Sequence, residues 1–440
     1  MNSIIRRWRA RGFALVGALS ALGTAACSNL LDVELPGKVV TEQLDDPSLA
    51  TALANGVVIT FECGWSQYVA AANALSDQVI STSGQGNTNT WGVRSVLENN
   101  LNLTDGCDGA VGGYNFLVPL QATRVLADNA FTKIDGFPDA RVPTKALLKA
   151  QVKTYAAYAT IPLGEAFCSM AFSQGPIITP QQALQDAETR FTEALGLATA
   201  ANSADLRNMA LVGRARVRLD LGNFAGARAD AEQVPATFVR NATRGATDRH
   251  RWNLLYEFQN NEVSQALRHT TIAPAFRDVR WQGVADPRVR VTATTLQAGD
   301  NISLLYRHAK ALSRSDPVLV ASGREARLIV AEAAARAGDL PTARTVINAL
   351  HTAAGIPGYD AGNTATQNEV IAQVIDERVR ELFMEAGARY NDHLRFRTTP
   401  FKIPFRGEPG SVHPNGVDHR NQQYGSTTCV PLALAETLGR

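Results

Sequence analysis

The chain has 440 residues, which is enough to bury a large core without help from disulfides or metal ions. It carries 43 basic and 41 acidic side chains, for a formal net charge of +2. Four of the arginines lie in a predicted N-terminal signal, so the remaining 39 basic residues against 41 acidic ones leave a net charge of −2. This balance argues against a nucleic acid as partner.

Residues 1–26 are typical of an export signal. Basic residues precede an apolar run, Phe13–Leu22, that is too short to span a bilayer. Small residues then lead to Cys27, which predicts a lipobox whose cysteine becomes the lipid-modified mature N-terminus. The alternative is ordinary signal cleavage, which would give a soluble periplasmic protein. The basic residues are Arg6, Arg7, Arg9 and Arg11.

Four further cysteines in an exported chain predict two disulfides, with three possible pairings left open. A metal site is the alternative, but close C-x-x-C spacing is missing and the seven histidines are scattered along the sequence. The sequence therefore predicts neither a metal nor a cofactor. The four cysteines are Cys63, Cys107, Cys168 and Cys429.

The first mature helix is predicted over residues 46–69. The stretch 70–79, which contains Asp77, either continues this helix or begins a second one. Asp77 is the one acidic residue among the ligand-binding candidates.

Residues 81–92, STSGQGNTNTWG, are predicted to form a loop because Gly, Ser, Asn and Thr dominate the segment. Asn87 and Asn89 can each donate and accept hydrogen bonds, as sugar recognition requires. Trp91 offers a flat apolar face for a pyranose ring. The alternative for Trp91 is that it anchors the loop to the body of the protein.

Helical periodicity predicts three long helices and then a helical hairpin in the first half of the chain. The hairpin, residues 209–234, has small residues where two helices would touch and a glycine at the turn, as in tetratricopeptide repeats. Such repeats are scaffolds, so they indicate binding without naming a ligand. The three helices are predicted over 114–133, 145–167 and 181–200.

Residues 236–320 break this pattern, and alternation over 289–295 predicts a short strand. A second helical hairpin opens the segment 324–397, and a long third helix follows with Val370 to Ala386 supplying its apolar face.

The opposite face of that third helix is charged, with Glu385 and Arg389 four residues apart and Asp392 and Arg395 three apart, so both pairs are predicted to meet. One interpretation takes Glu381 and Glu385 as paired catalytic carboxylates. The other, which the matching arginines favour, is a salt-bridged helix. The motifs G-x-S-x-G and H-E-x-x-H do not occur, so the chain is not expected to be an enzyme.

The order AEAAARAGD, INALHTAAGIP and ERVRELFMEAGARYNDHLRFR between residues 331 and 397 resembles the C-terminal signature of SusD/RagB-like proteins. The departures are Ala386 before Gly387 and His351-Thr352 in place of a basic pair. The segment after Cys27 resembles the start of the mature proteins of this family, and the stretch from Pro431 to Glu436 resembles their C-terminal segment. The matching residues of the last motif are Arg378, Glu381, Leu382, Glu385, Arg389, Asp392 and Arg395.

The resemblance implies a mainly α fold in one body, residues 27–440. Tetratricopeptide-like hairpins, mainly in 114–235 and 324–397, would pack against an irregular, loop-rich half with a few short strands. The ligand would lie on residues 81–113 and 236–320. The resemblance thus adds Trp252, Trp281 and Tyr306 as candidate stacking platforms, with core packing as the alternative for each.

The resemblance also implies a surface-exposed lipoprotein of the outer membrane. It would bind an oligosaccharide, or another oligomeric nutrient such as a peptide, and deliver it to a TonB-dependent, SusC-like transporter. The alternatives are a periplasmic tetratricopeptide-type scaffold for protein partners and a surface glycosidase.

Overall fold

The computed structural model describes residues 44–107, 113–173, 175–261 and 264–438. Residues 47–440 form one unit, and residues 1–46 form a separate unit, of which only 44–46 are described. The predicted signal peptide and Cys27 lie outside the described residues. Within those residues, no helix combines the length and the apolar composition that a membrane span requires.

Thirteen α-helices dominate the described ranges, which confirms the predicted mainly α fold. The helices are α1 Ala50–Leu75, α2 Gly86–Gly92, α3 Leu117–Gly136, α4 Lys145–Ala166, α5 Pro180–Ala200, α6 Ala204–Asp220, α7 Phe224–Ala231, α8 Leu254–Asn260, α9 Gly323–Arg336, α10 Leu340–Ala354, α11 Gln367–Glu381, α12 Ala388–Arg395 and α13 Leu434–Leu438.

Local sequence explains where several of these helices begin. Helices α5 and α11 each start with a capping box, in which the N-cap threonine and the third helical residue satisfy each other's backbone N–H groups. The caps are Thr179 with Gln182 and Thr366 with Glu369.

The helices pack in sequence order as a chain of neighbours. Helix α1 contacts α3 and α4, and each of α3 to α6 contacts the next one. Helix α9 then packs on α6 and α7 and also contacts α10 and α11. Close approach depends on small residues: a Cβ on Gly213 of α6 would lie 2.2 Å from the ring of Phe191 in α5.

The strands form five two-stranded antiparallel ribbons, most of them in the irregular half. The pairs are β1 with β5, β2 with β3, β4 with β10, β6 with β7 and β8 with β9. The strands are β1 Val79–Ser81, β2 Met170–Ala171, β3 Ile177–Ile178, β4 Val239–Ala242, β5 Thr270–Ile272, β6 Arg280–Trp281, β7 Val284–Ala285, β8 Val291–Gln297, β9 Leu304–His308 and β10 Val318–Ser322.

Two predictions about secondary structure need correction. The segment 81–92 is not all loop, because its second half forms α2 around the buried Trp91. The long third helix is not continuous, because α11 ends at Glu381 and α12 begins only at Ala388. Met384, Ala386 and Gly387 between them have positive φ angles, which a right-handed helix does not allow.

This break separates one of the two predicted ion pairs. Arg389 donates two hydrogen bonds to Asp77, at 2.8 and 2.6 Å, and Glu385 instead contacts Arg324 and Lys310 at 3.3 and 3.4 Å. The predicted pair of Glu385 with Arg389 is therefore wrong. Asp392 and Arg395, which share α12, meet at 2.9 Å as predicted.

The structure selects one of the three possible cysteine pairings. Cys63 of α1 bonds to Cys107, and Cys168, just after α4, bonds to Cys429 near the C-terminus. The second bond closes a separation of 261 residues, so it ties the end of the chain back to the helical half.

Candidate functional site

Three segments that are far apart in sequence meet in a polar surface, which we call the loop face: residues 81–92, 298–306 and 413–424. Asn89 lies at its centre. Its Nδ2 donates to Gln422 Oε1 at 2.9 Å, and its Oδ1 accepts from Arg420 Nη2 at 2.7 Å. Arg420 Nη1 also donates to the backbone oxygen of Ser83 at 3.0 Å. The side-chain amides of Asn89 and Gln422 and the guanidinium of Arg420 are therefore held in fixed orientations.

A buried aspartate shapes the C-terminal part of the loop face. Asp418 accepts hydrogen bonds from the backbone N–H groups of Arg420 and Gln422, both at 2.8 Å. It also pairs with Arg420 Nε at 3.0 Å. Burial alone would raise the pKa of Asp418, but these hydrogen bonds hold it below its usual range. The carboxylate thus preorganises the turn that presents Arg420 and Gln422.

Asp300 plays the same part in the middle segment. It accepts from the backbone N–H groups of Ile302 and Ser303 at 3.0 and 2.9 Å, and from His419 Nε2 at 2.7 Å. Burial opposes ionisation of Asp300, yet the hydrogen bond from His419 and the two backbone bonds keep its pKa well below the usual range.

The cluster of Ser303, His419 and Asp300 is not arranged as a catalytic triad. In a triad, the two ring nitrogens of the histidine contact different partners. Here the same nitrogen, His419 Nε2, lies 2.9 Å from Ser303 Oγ and 2.7 Å from Asp300 Oδ2, while the buried Nδ1 finds no hydrogen-bond partner among the described residues. The cluster fastens the 413–424 segment to the 298–306 turn. Within the described ranges, no group of three His, Cys, Asp or Glu side chains is placed to hold a metal ion.

The loop face also contains half-buried rings. The imidazole of His413 stacks on that of His419, with 5.9 Å between ring centroids, and its Nδ1 lies 2.6 Å from Tyr424 Oη. Burial lowers the pKa of His413, which favours a neutral ring.

Sequence reasoning missed His413, His419, Arg420, Gln422 and Tyr424. The signal was present, because residues 410–425, GSVHPNGVDHRNQQYG, have the same Gly- and amide-rich composition as the 81–92 segment.

The three candidates from the 81–92 segment separate into surface and core. Asn87 is exposed, and Asn89 belongs to the network described above. Trp91 is fully buried, with its ring 5.3 Å from that of Tyr114 and 5.9 Å from that of Phe116. In this structure Trp91 presents no face to a ligand and anchors the segment from below.

The remaining aromatic candidates are half-buried, and each has a ring face occupied by its own protein. Arg277 covers Tyr306 at 3.8 Å, and Arg314 covers Trp252 at 3.9 Å. Trp281 packs 4.9 Å from the His351 ring, on the helical repeats. Of these three, Tyr306 alone belongs to a segment of the loop face. Among the described residues, the large apolar side chains that are exposed are all aliphatic.

The acidic candidate, Asp77, is committed to an ion pair with Arg389 of α12. Burial alone would raise its pKa, but Arg389 holds it well below the usual range. Asp77 therefore links the end of α1 to α12.

Glu381 and Glu385 also lie among cations. Glu381 contacts Arg288 at 2.9 Å and Arg324 at 3.6 Å, and Arg324 also reaches Glu385 at 3.3 Å. Both carboxylates are thus occupied as partners of basic side chains from other elements. This geometry favours the interpretation as ion pairs between elements.

Comparisons with known proteins agree with this fold. Residues 325–428, which include the C-terminal segment of the loop face, match the model of the SusD family. No curated protein sequence matches the chain.

Many solved structures are similar to the chain over nearly its whole length. A SusD-like carbohydrate binding protein from Bacteroides vulgatus has a TM-score of 0.65 and 16% identity, covering 89% of this chain and 96% of that one. A SusD superfamily protein from Parabacteroides distasonis has a TM-score of 0.66 and 14% identity, covering 91% and 98%. Surface glycan-binding protein A from Bacteroides uniformis has a TM-score of 0.65 and 12% identity, covering 89% and 98%. The predicted resemblance is confirmed: the chain has the fold of SusD-like proteins, and its C-terminal part matches the SusD family.

Proposed function

We propose that the protein binds a glycan at the loop face and does not transform it. The observation that carries this proposal is the network of Asn89, Arg420 and Gln422, in which planar polar groups are held ready at the surface. A sugar presents hydroxyl groups that both donate and accept, and side-chain amides match them. The names of two similar structures, a carbohydrate binding protein and a surface glycan-binding protein, support the same class of ligand.

Recognition would combine these polar groups with the ring faces of His413 and Tyr424. A pyranose has an apolar face that packs on a flat ring, while its hydroxyls lie at the rim. The carboxylates of the loop face are occupied by internal hydrogen bonds, so they fix the shape of the site and leave the outward groups to the ligand. Binding of this kind makes and breaks no covalent bond.

In the cell, the protein would act in uptake of the glycan, or of another oligomeric nutrient. A lipid on Cys27 would anchor it to the outer membrane, facing the exterior, and the ligand would pass to a TonB-dependent, SusC-like transporter. The predicted export signal and lipobox, together with the match of residues 325–428 to the SusD family, support this part of the proposal.

The binding proposal is tested by calorimetric titration of the lipid-free Cys27→Ala protein with a panel of neutral oligosaccharides. We expect Gln422→Ala to weaken binding about five- to tenfold, because the loss of a hydrogen bond worth about 1–1.4 kcal/mol has that effect. Gln233→Ala is the matched control, since Gln233 is an exposed glutamine at the end of α7. Equal affinity of both variants for the glycan would show that it binds outside the loop face. If no oligosaccharide of the panel bound, a glycan would be ruled out as the ligand.

The uptake proposal is tested by mild-detergent purification of the full-length protein from its own outer membrane. A large β-barrel transporter should co-purify with the wild type and not with Cys27→Ala. A soluble wild-type protein that brings down no barrel would contradict it.

One surface feature favours the alternative function, a scaffold for protein partners. A groove of about 850 Å³ runs between the α6–α7 turn, α9 and the start of α11. Its lining combines Phe224 with Arg228, Arg336 and Gln367, a mixture that suits a peptide segment. Under this alternative, the lipid-free protein would capture a soluble partner, and Arg228→Glu would release it.

A further inference from the structure

A second cavity lies apart from the loop face, beside the middle of α1. Its volume is about 370 Å³, within the range of sites for small organic ligands. The Cys63–Cys107 disulfide forms one wall, and the residues 244–251 form another. The floor is apolar, with Ile59, Val118, Pro119 and Ala122.

The cavity contains a buried guanidinium that is not hydrogen-bonded to any carboxylate of the described residues. The side chain of Arg244 is only 2% exposed. Its Nε donates to the backbone oxygen of Thr243 at 2.7 Å, but its Nη2 lies 4.0 Å from Glu62 Oε2, beyond hydrogen-bond distance. Burial lowers the pKa of Arg244 to about 10, because desolvation outweighs the effect of Glu62. In the described part of the chain, the Nη groups of Arg244 make no hydrogen bond.

Glu62 does not approach closer because its oxygens have other partners. The backbone N–H and the hydroxyl of Thr243 donate to the two oxygens at 2.9 and 2.7 Å. Arg251 donates to the same hydroxyl at 2.8 Å and stays 3.8 Å from Glu62. Two arginines therefore share one carboxylate that a threonine already satisfies.

We propose that this cavity binds a small organic monocarboxylate, with its carboxylate on Arg244 and Arg251 and its apolar body on the floor. A buried guanidinium whose Nη groups lack hydrogen bonds is costly, and a carboxylate can accept two parallel N–H bonds from such a planar fork. Ile59, which is half exposed at the cavity, would be covered by the apolar body of the ligand.

The charge of the lining sets the charge of the ligand. Glu62 and Asp248 both line the cavity, so they balance the two arginines before any ligand enters. A single negative charge can then be accommodated through hydrogen bonds, whereas burying a dianion such as phosphate would carry a larger desolvation cost.

The cavity is distinct from the proposed glycan site. Glu62 and Leu75 are 13 residues apart on α1, which at 1.5 Å per residue corresponds to about 20 Å. Strand β1, which leads into the loop face, begins only beyond Leu75.

Calorimetric titration of the lipid-free full chain tests the inference, with benzoate as the probe and benzamide as its neutral counterpart of the same shape. We expect benzoate to bind with a Kd of about 1 mM or tighter. Benzamide should bind at least tenfold more weakly. Arg244→Met should lower benzoate affinity at least tenfold, while Arg290→Met, which removes an exposed arginine outside the cavity, should leave it unchanged.

Arg244→Lys is a second variant that distinguishes a specific loss of binding from a general folding defect in Arg244→Met. It keeps the charge but loses the planar fork, so its benzoate affinity should fall between those of the wild type and Arg244→Met. Thermal unfolding of each variant would establish that it is folded. Failure of benzoate to bind the wild type, or equal binding by Arg244→Met, would overturn the proposal. Inorganic phosphate that binds as tightly as benzoate would overturn the assignment of a monocarboxylate.

Discussion

Arg216 is a charged residue enclosed by the helical core. Its Nε and Nη2 donate to Glu165 at 2.6 and 2.7 Å, and Nη2 also donates to the backbone oxygen of Ala386 at 2.9 Å. The carboxylate of Glu325 lies 3.5 Å from Nη1. Arg216 thereby joins α4, α6, α9 and the turn before α12. The buried carboxylates of Glu165 and Glu325 therefore form ion pairs that hold the helices together.

Arg216→Met should lower the free energy of unfolding by about 3–5 kcal/mol, because it leaves buried carboxylates without a counter-charge. Arg228→Met is the control: Arg228 forms an ion pair with Glu232 at 2.7 Å on the surface, and its loss should cost less than about 1 kcal/mol. Urea unfolding at neutral pH measures both. If Arg216→Met lost as little stability as Arg228→Met, the buried ion pairs would contribute little to the free energy of unfolding.

His308 couples stability to pH. Its Nδ1 accepts the backbone N–H of Lys310 at 3.1 Å, and its Nε2 donates to Leu255 O at 3.2 Å, so the neutral ring is fully bonded. Burial lowers its pKa to about 4, against roughly 6.5 in an unfolded chain. Between these values the unfolded state binds a proton that the folded state does not, so stability falls as the pH decreases from 6.5 towards 4.

His308→Gln should therefore show a smaller loss of stability between pH 7 and pH 5 than the wild type, as measured by urea unfolding at both values. An unchanged dependence in His308→Gln would mean that the ring is protonated in the folded state.

At this scale the sequence identifies the kinds of residue but not their partners. The Gly-, Ser-, Asn- and Thr-rich composition of residues 81–92 makes Asn89 a candidate for ligand binding. Its hydrogen-bond partners, Arg420 and Gln422, lie more than 330 positions away in the sequence. Trp91 shows the same limit, because a tryptophan beside a polar loop suits either a ligand platform or an anchor. Only the tertiary packing on Tyr114 and Phe116 decides between them.

At the scale of elements, the break between α11 and α12 is imposed by tertiary contacts. A Cβ on Gly387, which has a φ of +67°, would lie 2.6 Å from the ring of Tyr68. Gly338, which has a φ of +79°, ends α9 with open space around it. The two glycines thus share a left-handed backbone and differ in what surrounds them.

Gly338→Ala should cost about 1–2 kcal/mol, the price of a left-handed conformation with a Cβ. Gly387→Ala should cost a further 1–3 kcal/mol or so, because the added methyl group forces Tyr68 to move. Urea midpoints of the two variants check the difference. Equal urea midpoints would show that Tyr68 of α1 does not pack tightly against Gly387.

Helix periodicity predicted most elements, because amphipathic helices record their buried face in local sequence. It failed between Leu382 and Gly387, where apolar spacing continues although the backbone turns. The cause is long-range: Arg216 binds the oxygen of Ala386, and Tyr68 presses on Gly387. Helix α2 was missed for a related reason, since its polar sequence has weak helix propensity and is held by the burial of Trp91.

At the scale of the whole molecule, the C-terminal segment crosses back to the start of the fold. Arg406 is completely buried and donates to the backbone oxygens of Ala74 and Val79, at the end of α1 and in β1. The positive charge thereby satisfies a carbonyl at a helix C-terminus, where a cation is favourable. Farther on, the Cys168–Cys429 bond fastens the segment to the end of α4. The loop-face residues 413–424 lie between these two attachments in the sequence.

The double variant Cys168→Ser with Cys429→Ser should therefore loosen the loop face before it unfolds the helices. Amide hydrogen exchange should rise in residues 413–424 while α4 and α5 keep their protection, and the affinity for glycan should fall in parallel. The matched control is Cys63→Ser with Cys107→Ser, which removes a disulfide beside the middle of α1 and leaves both attachments in place. Unchanged exchange in 413–424 would mean that Arg406 and the Asp300–His419 contact hold the segment without the disulfide. The loop face would then be an integral part of the core and not a segment tied to it.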